Sequence, residues 1–368
     1  MTRTTLVLLL CVACGDDAHS PGDGAPGRSR AVIVAGSFMA GETGVMSELT
    51  FDPPAVLQRV APNGAVSADP LLRKVGDELF IVNRDSNNIT ILDAATYAVS
   101  GQLATGAGSN PQDVAVWGDK LFVATFRMVG VLVLPRGGGA PQAIDLSAFD
   151  PDGEPNCVSA YTVGDEVYVA CGLLDDMYKP RGPGRIAVID AATNTVKTSF
   201  SMASRNPFGV FEQLPADALG GDLVISTVPS FTDFSMGCVE RIQTGAAPRS
   251  NGCVVTNSAV GGYVGRLAFQ RRAGSSLQWM IVNKSDPMPR GNLQAFDLGA
   301  QALLPGPVSP ATQVLVDVAI CSNGLIVVAD RTMAANGLRV YDGAVEQTAA
   351  PLSIGLQPGS AHGLACYE

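Results

Sequence analysis

Short apolar runs bounded by polar turns recur along the chain from residue 30 onward, and seven of them are versions of one strand. They read RAVIVA at 30–35, ELFIVN at 78–83, KLFVAT at 120–125, EVYVAC at 166–171, DLVIST at 222–227, QWMIVN at 278–283 and GLIVVA at 324–329. Successive copies stand roughly 42 to 57 residues apart, the spacing of four-stranded propeller blades joined by loops of varying length. Before a copy stands a strand such as VAVW at 114–117, followed by a tight turn containing Gly118 and Asp119. After it come strands such as ITILD at 89–93, IAVID at 186–190, LQAFD at 293–297 and LRVYD at 338–342. These runs are apolar or alternating, as strands covered on both faces are. The pattern predicts an all-β protein, a seven-bladed β-propeller over residues 30–368, with a long β-sandwich or two separate β-domains as the alternative.

The two ends of this region complement each other. Residue 30 opens on the second strand of a blade with no inner strand before it, whereas PGSAHGLAC at 358–366 has inner-strand character and no second strand after it. The C-terminal strand is therefore expected to complete the first blade, which removes exposed sheet edges and ties the termini into one unit.

Upstream, Arg3 precedes an apolar run at 6–13 that suits a signal peptide and is too short to span a bilayer. Cys11, Val12, Ala13, Cys14 and Gly15 resemble the bacterial lipobox. The resemblance implies a lipoprotein signal peptide at 1–13, lipidation of Cys14 and, from its composition, a flexible tether at 14–29 rich in Gly, Pro, Asp and Ser. An ordinary secretory signal cleaved nearby is the alternative; both export the protein to the cell envelope. The net charge of −10 comes without any basic block, which argues against nucleic acid as a partner. Membrane contact is expected through the lipid anchor only.

Residues 79–96, LFIVNRDSNNITILDAAT, resemble the hallmark of the YVTN-type β-propellers, a Tyr-Val-Ala/Thr-Asn strand followed by a polar turn and a Val-x-Val-Ile-Asp strand. Residues 144–155 and NPFG at 206–209 are similar to segments of proteobacterial surface lipoproteins. The resemblance implies fold strongly and function weakly, since members include lactonases, cytochrome-associated domains and surface-layer proteins.

Six cysteines remain beyond Cys11 and Cys14, an even number in an oxidising compartment. Cys157 and Cys171 flank the turn around Gly164 at nearly equal distances and are expected to pair. Cys238 with Cys253, and Cys321 with Cys366, are the suggested companion pairs, the last locking the ring; spacing alone leaves the fifteen arrangements of six cysteines open, and free buried thiols are the alternative. Among these six no CxxC or CxxCH pattern occurs, which leaves a zinc knuckle, a redox motif and covalent haem unsupported.

Loop lengths separate the two faces. Short turns such as 75–77, 117–119 and 322–324 mark one face, and long loops at 37–47, 150–156, 172–184, 229–237, 284–292 and 330–337 mark the other. Binding residues concentrate on long loops of rigid scaffolds, which makes Asp150, Asp152, Glu154, Asp175, Asp176, Tyr178, Arg181, Asp286 and Arg331 the candidate ligand contacts. They suit a polar or cationic ligand, a glycan or a partner protein. Asp150, Asp152 and Glu154 also suggest calcium, although the spacing is not that of an EF-hand; no other cofactor is expected. Two histidines, His19 and His362, exclude a multi-histidine metal site within one chain. The expected role is a binding or scaffold module. The alternative is a lactonase-like hydrolase with His362 and either Asp113 or Asp317 at the channel mouth.

Overall fold

The computed structural model describes residues 29–38, 42–270, 277–284, 290–305, 308–359 and 362–367. The signal peptide, almost all of the tether, Cys14, His19 and Asp286 lie outside them. Seven four-stranded antiparallel sheets make up the fold, each a blade, and blades 1 to 7 have their inner strands at Leu364–Tyr367, Pro70–Val75, Pro111–Trp117, Cys157–Val163, Glu212–Gln213, Tyr263–Phe269 and Leu315–Ile320. Blade 2 shows the pattern: Pro70–Val75 is the inner strand, Glu78–Asn83 and Asn88–Asp93 the middle strands and Val99–Ala104 the outer one. Only the outer strand is largely exposed, because the middle strands are covered by neighbouring blades on both faces. The core accordingly lies between blades: Phe80, Val82, Ile89 and Ile91 of blade 2 pack on Val114, Leu121, Val123 and Leu132 of blade 3. Fully burying side chains of this size contributes about 1.5–3 kcal/mol each.

Inner and second strands join in blades 2, 3 and 4 through two-residue turns whose first residue is Gly76, Gly118 or Gly164, with φ of 53°, 56° and 59°. A left-handed first residue matches the twist of a tight hairpin, and glycine adopts it without a Cβ clash.

Closure is as the chain ends foretold. The strand Leu364–Tyr367 pairs antiparallel with Arg30–Ala35, placing Val32 opposite Ala365 and Ile33 opposite Leu364. It is shorter than the whole segment from residue 358, and a left-handed residue, His362 with φ of 79°, turns the chain into it. The three expected disulfides are present: Cys157–Cys171, Cys238–Cys253 and Cys321–Cys366. Cys157 and Cys171 are directly opposed in register on the two inner strands of blade 4. The bond from Cys321 to Cys366 joins blade 7 to blade 1 at the closure.

Candidate functional site

The inner strands build a repeated girdle around the central channel. In blades 3, 4, 6 and 7 the pairing of inner and second strands skips one residue, Gln112, Val158, Gly265 or Val316, leaving a bulge that re-aims the strand. The next residue is Asp113, Ser159, Arg266 or Asp317. Asp113 accepts from Ala160 N at 3.0 Å and Ser159 Oγ at 2.7 Å in the next blade. Its carboxylate also takes two 2.6 Å bonds from Arg73 of the preceding blade. Asp317 repeats the arrangement at the closure, accepting from Gly363 N at 2.8 Å, Leu364 N at 2.9 Å and Arg266 Nε at 3.1 Å. Both carboxylates are thus committed to joining blades.

One arginine reaches across the channel and another joins adjacent blades. Arg73 reaches the Phe211 carbonyl at 3.3 Å, and Arg266 also pairs with Glu212. Burial pulls the Arg73 pKa down, but Asp113 outweighs it and leaves the guanidinium more firmly protonated than usual. Along the inner strands these groups lie between the two mouths, as Arg73 lies between Leu71 at one and Lys74 at the other.

At the long-loop mouth lies a cavity of about 260 Å³. Its walls are mainly apolar: Leu71, Val158, Leu174 and Val210 come from inner strands and loops, joined by two aromatic pairs. Phe126 of blade 3 stacks on Tyr178 of the blade 4 loop with centroids 6.1 Å apart, and Phe208 meets Phe231 edge-on at 5.3 Å in blade 5. Four polar side chains converge among them, Arg84, Gln112, Asn206 and His362. Asp175 shapes the wall indirectly by accepting from the backbone N–H groups of Met177 and Lys179, both at 2.9 Å, in the turn that presents Tyr178. Arg127 lies over the Tyr178 ring at 5.8 Å and bonds its hydroxyl.

His362 stands where Val158 stands in blade 4, two residues before the backbone N–H that the neighbouring aspartate binds. Its carbonyl accepts from Leu72 N at 2.8 Å, and its imidazole lies within reach of Gly209. A Cβ at Gly209 would come 2.8 Å from His362 Nε2, so glycine there makes room for the ring. The side chain is buried, and Nδ1 has no hydrogen-bond partner among the described residues. Burial, reinforced by the positive charges of Arg266, Arg73 and Arg84, holds its pKa well below 6.5, so the imidazole is neutral at pH 7.

That depression has a stability consequence. Below pH 6.5 the unfolded chain takes up a proton that folded His362 refuses, so stability falls as pH drops from 6.5 toward the lowered folded pKa. The limiting slope is about 1.4 kcal/mol per pH unit. Urea unfolding between pH 7 and 5 is expected to show this slope in the parent and to lose it in His362→Asn; equal slopes would contradict the neutral, buried imidazole.

Of the residues expected from the sequence, Tyr178 lines the cavity, and His362 lines it as well. Asp150 and Asp152 are instead bridged by Arg181 at 3.0 and 2.8 Å, while Glu154 and Asp176 are exposed. Burial, more than the nearby Asp152, raises the Asp150 pKa. No group of three or more potential metal-binding side chains occurs among the described residues, and the guanidinium of Arg181 occupies the place proposed for calcium. Arg331 lies over the Phe38 ring at 5.5 Å. Arg84, Gln112, Phe126, Asn206, Phe208 and Phe231 were not among the expected contacts, although the segment 206–209 stood out in the sequence.

No protein-family model matches the chain, and no curated protein matches it in sequence. Solved structures do. Apo AztD from Citrobacter koseri aligns over 92% of this chain and 98% of its own, with a TM-score of 0.52 at 13% identity. The dihydro-heme d1 dehydrogenase NirN, in complex with DHE, aligns over 88% and 73% with a TM-score of 0.53 at 15% identity. A catalytically inactive virginiamycin B lyase from Staphylococcus aureus, with quinupristin, aligns over 83% and 94% with a TM-score of 0.55 at 9% identity. At these identities the likeness establishes the fold alone: the chain is a seven-bladed β-propeller closed by its C-terminal strand.

Proposed function

We propose that this chain is an exported binding propeller of the YVTN type, tethered to the cell envelope through lipidated Cys14, that captures a small molecule at the long-loop mouth of its channel. One observation carries the reading: Arg84, Gln112, Asn206 and His362 converge on a cavity with otherwise mainly apolar walls. A few placed polar groups among apolar and aromatic walls are the usual composition of a small-molecule site. Comparable propellers support the reading, since NirN and virginiamycin B lyase are described with bound DHE and quinupristin.

A hydrolase or lyase is the second reading, and it rests on His362 alone. A neutral imidazole with Nδ1 unpartnered is in the protonation state of a general base. Asp113 and Asp317 do not assist it in this reading, because each already serves neighbouring blades.

Native mass spectrometry of protein isolated from the envelope is expected to find a bound small molecule that the parent retains and Phe231→Ala releases. Retention by both proteins would place the molecule elsewhere. Turnover of that molecule by the parent but not by His362→Asn would select the enzymatic reading. Cys14→Ser is expected to move the protein from the membrane fraction to the soluble one, since one lipidated cysteine is the attachment left after signal cleavage; unchanged fractionation would sink the anchor.

A further inference from the structure

The mouth cavity offers hydrogen-bond donors and no uncompensated charge. Arg84 is the one charged side chain lining it among the described residues, and Asp69 already pairs with that guanidinium. The imidazole of His362 is neutral, and its two nitrogens differ in surroundings: Nδ1 is buried without a hydrogen-bond partner among the described residues, whereas Nε2 lies at the cavity wall beside Gly209. The blade 5 inner strand brings Gly209 there through an enlarged bulge. It runs from Pro207, opposite Thr227, to Glu212, opposite Val224, two residues more than the strand it faces. A neutral ring carries one proton. A buried N–H left without an acceptor is rarer than a buried acceptor left unused, which puts the proton on Nε2 and places an N–H at the cavity wall. The Tyr178 hydroxyl is a second donor, since it accepts from Arg127 and keeps its own proton. The side-chain amides are engaged through their nitrogens, Asn206 Nδ2 with the Val228 carbonyl at 2.8 Å and Gln112 Nε2 with Asn110.

Accepting that this cavity is the binding site, we infer that its ligand is an uncharged aromatic carbonyl compound, a ketone, ester or amide carried on a flat ring system. The carbonyl oxygen takes the N–H of His362, and the rings rest against the pairs Phe126–Tyr178 and Phe208–Phe231. Flat rings suit offset and edge-on contact with Phe and Tyr. A carbonyl oxygen only accepts, which matches a wall whose available groups are an N–H and an O–H. A cavity of about 260 Å³ stands just below the usual range for drug-sized ligands, which limits the molecule to roughly two or three rings. Anions and cations are both disfavoured, because Arg84 already has its carboxylate and no other charge lines the cavity among the described residues.

A broader depression of about 740 Å³ at the opposite mouth is bordered by Lys74, Asp77 and the Cys321–Cys366 disulfide. It lacks facing aromatic walls. Tyr367 is its one aromatic ring among the described residues, and the Lys74 ammonium lies 5.0 Å from the centroid of that ring.

Equilibrium dialysis against acetylnaphthalene, ethylnaphthalene, naphthoate and naphthylmethylammonium tests the inference. The parent is expected to bind both uncharged probes, and to bind each charged one at least about tenfold more weakly than acetylnaphthalene, since burying a charge without a free partner costs more than burying a hydrogen-bonded carbonyl. His362→Leu should lower the affinity for acetylnaphthalene about fivefold relative to ethylnaphthalene, the worth of one hydrogen bond between uncharged partners. Phe231→Ala should weaken both uncharged probes, and Lys74→Met should change neither. Nitrogen NMR of histidine-labelled protein reads the donor without any substitution: His362 is expected to carry its proton on Nε2, and that nitrogen is expected to shift when acetylnaphthalene binds. A ring protonated on Nδ1, an Nε2 signal unmoved by bound acetylnaphthalene, or an affinity ratio unchanged in His362→Leu overturns the carbonyl contact while the cavity stands as the site. Naphthoate bound more tightly than acetylnaphthalene overturns the uncharged class. No binding of either uncharged probe, affinities unmoved by Phe231→Ala, or acetylnaphthalene lost in Lys74→Met overturns the cavity itself. Phe231 is half-exposed, so its truncation leaves the fold intact, and the NMR measurement decides the matter should His362→Leu unfold.

Discussion

Removal of residues 358–368 is expected to leave a chain that does not hold its ring. The loss reaches well beyond one short strand. Leu364 and Tyr367 are buried, and Tyr367 donates to the Ala94 carbonyl at 3.0 Å in blade 2. The Cys321–Cys366 bond goes with them, and a native disulfide contributes about 2–5 kcal/mol in small domains. Asp317 loses two of its backbone donors at the same moment and is left buried with Arg266. Against a total stability of about 5–15 kcal/mol these losses are of the same size as the whole. Insoluble expression, or a melting temperature lowered by at least about 10 °C, is the expected outcome. A truncated protein that melts like the parent would contradict the closure.

Asp317→Ala is expected to cost about 3–5 kcal/mol in urea unfolding, the range found when one partner of a buried, hydrogen-bonded ion pair is removed. Its carboxylate is 2% exposed and satisfies Gly363 N, Leu364 N, Val318 N and Arg266 together, so alanine takes the carboxylate from three backbone donors and leaves the buried Arg266 with Glu212 alone. Asp317→Asn should cost less, since one amide oxygen still accepts from the closing strand. A side chain serving turnover alone could be removed without moving the unfolding midpoint. An unchanged midpoint in Asp317→Ala would therefore contradict the structural role.

The ring was readable because blade strands carry their own signature. The second strand is covered on both faces in every blade, so each copy is an uninterrupted apolar run, and the copies recur at blade spacing. Outer strands left a fainter mark: Ala302–Leu303 and Val345–Glu346 are two residues long and largely exposed, with no burial to impose a pattern. Two of the disulfides were readable from a turn between the cysteines, as Cys157 and Cys171 around Gly164 illustrate, and Cys321–Cys366 from the closure of the ring.

The site was readable only in part. Tyr178 could be found because a long loop carries it, and His362 because histidine is rare in the chain. Arg84, Gln112 and Phe208 reach the mouth through their places in the blade repeat, which loop length and charge do not reveal. The bulged position just before Asp113, Ser159, Arg266 and Asp317 was the available signal. Aligning inner strands would have exposed it, since QDVA at 112–115 and VDVA at 316–319 repeat one another. The same alignment assigns Asp113 and Asp317 to the girdle, where two equivalent aspartates make equivalent bonds to the following blade.

The central claim, that the long-loop mouth is where this propeller meets its ligand, is tested most directly by a crystal structure of the protein with the small molecule that it retains from the envelope. Density for that molecule is expected against Phe126, Tyr178, Phe208 and Phe231, with a polar group within hydrogen-bond distance of Gln112, Asn206 or His362. Density at the opposite mouth beside Lys74 and Cys321, or an unchanged long-loop mouth in a crystal whose other surfaces hold the molecule, would contradict it.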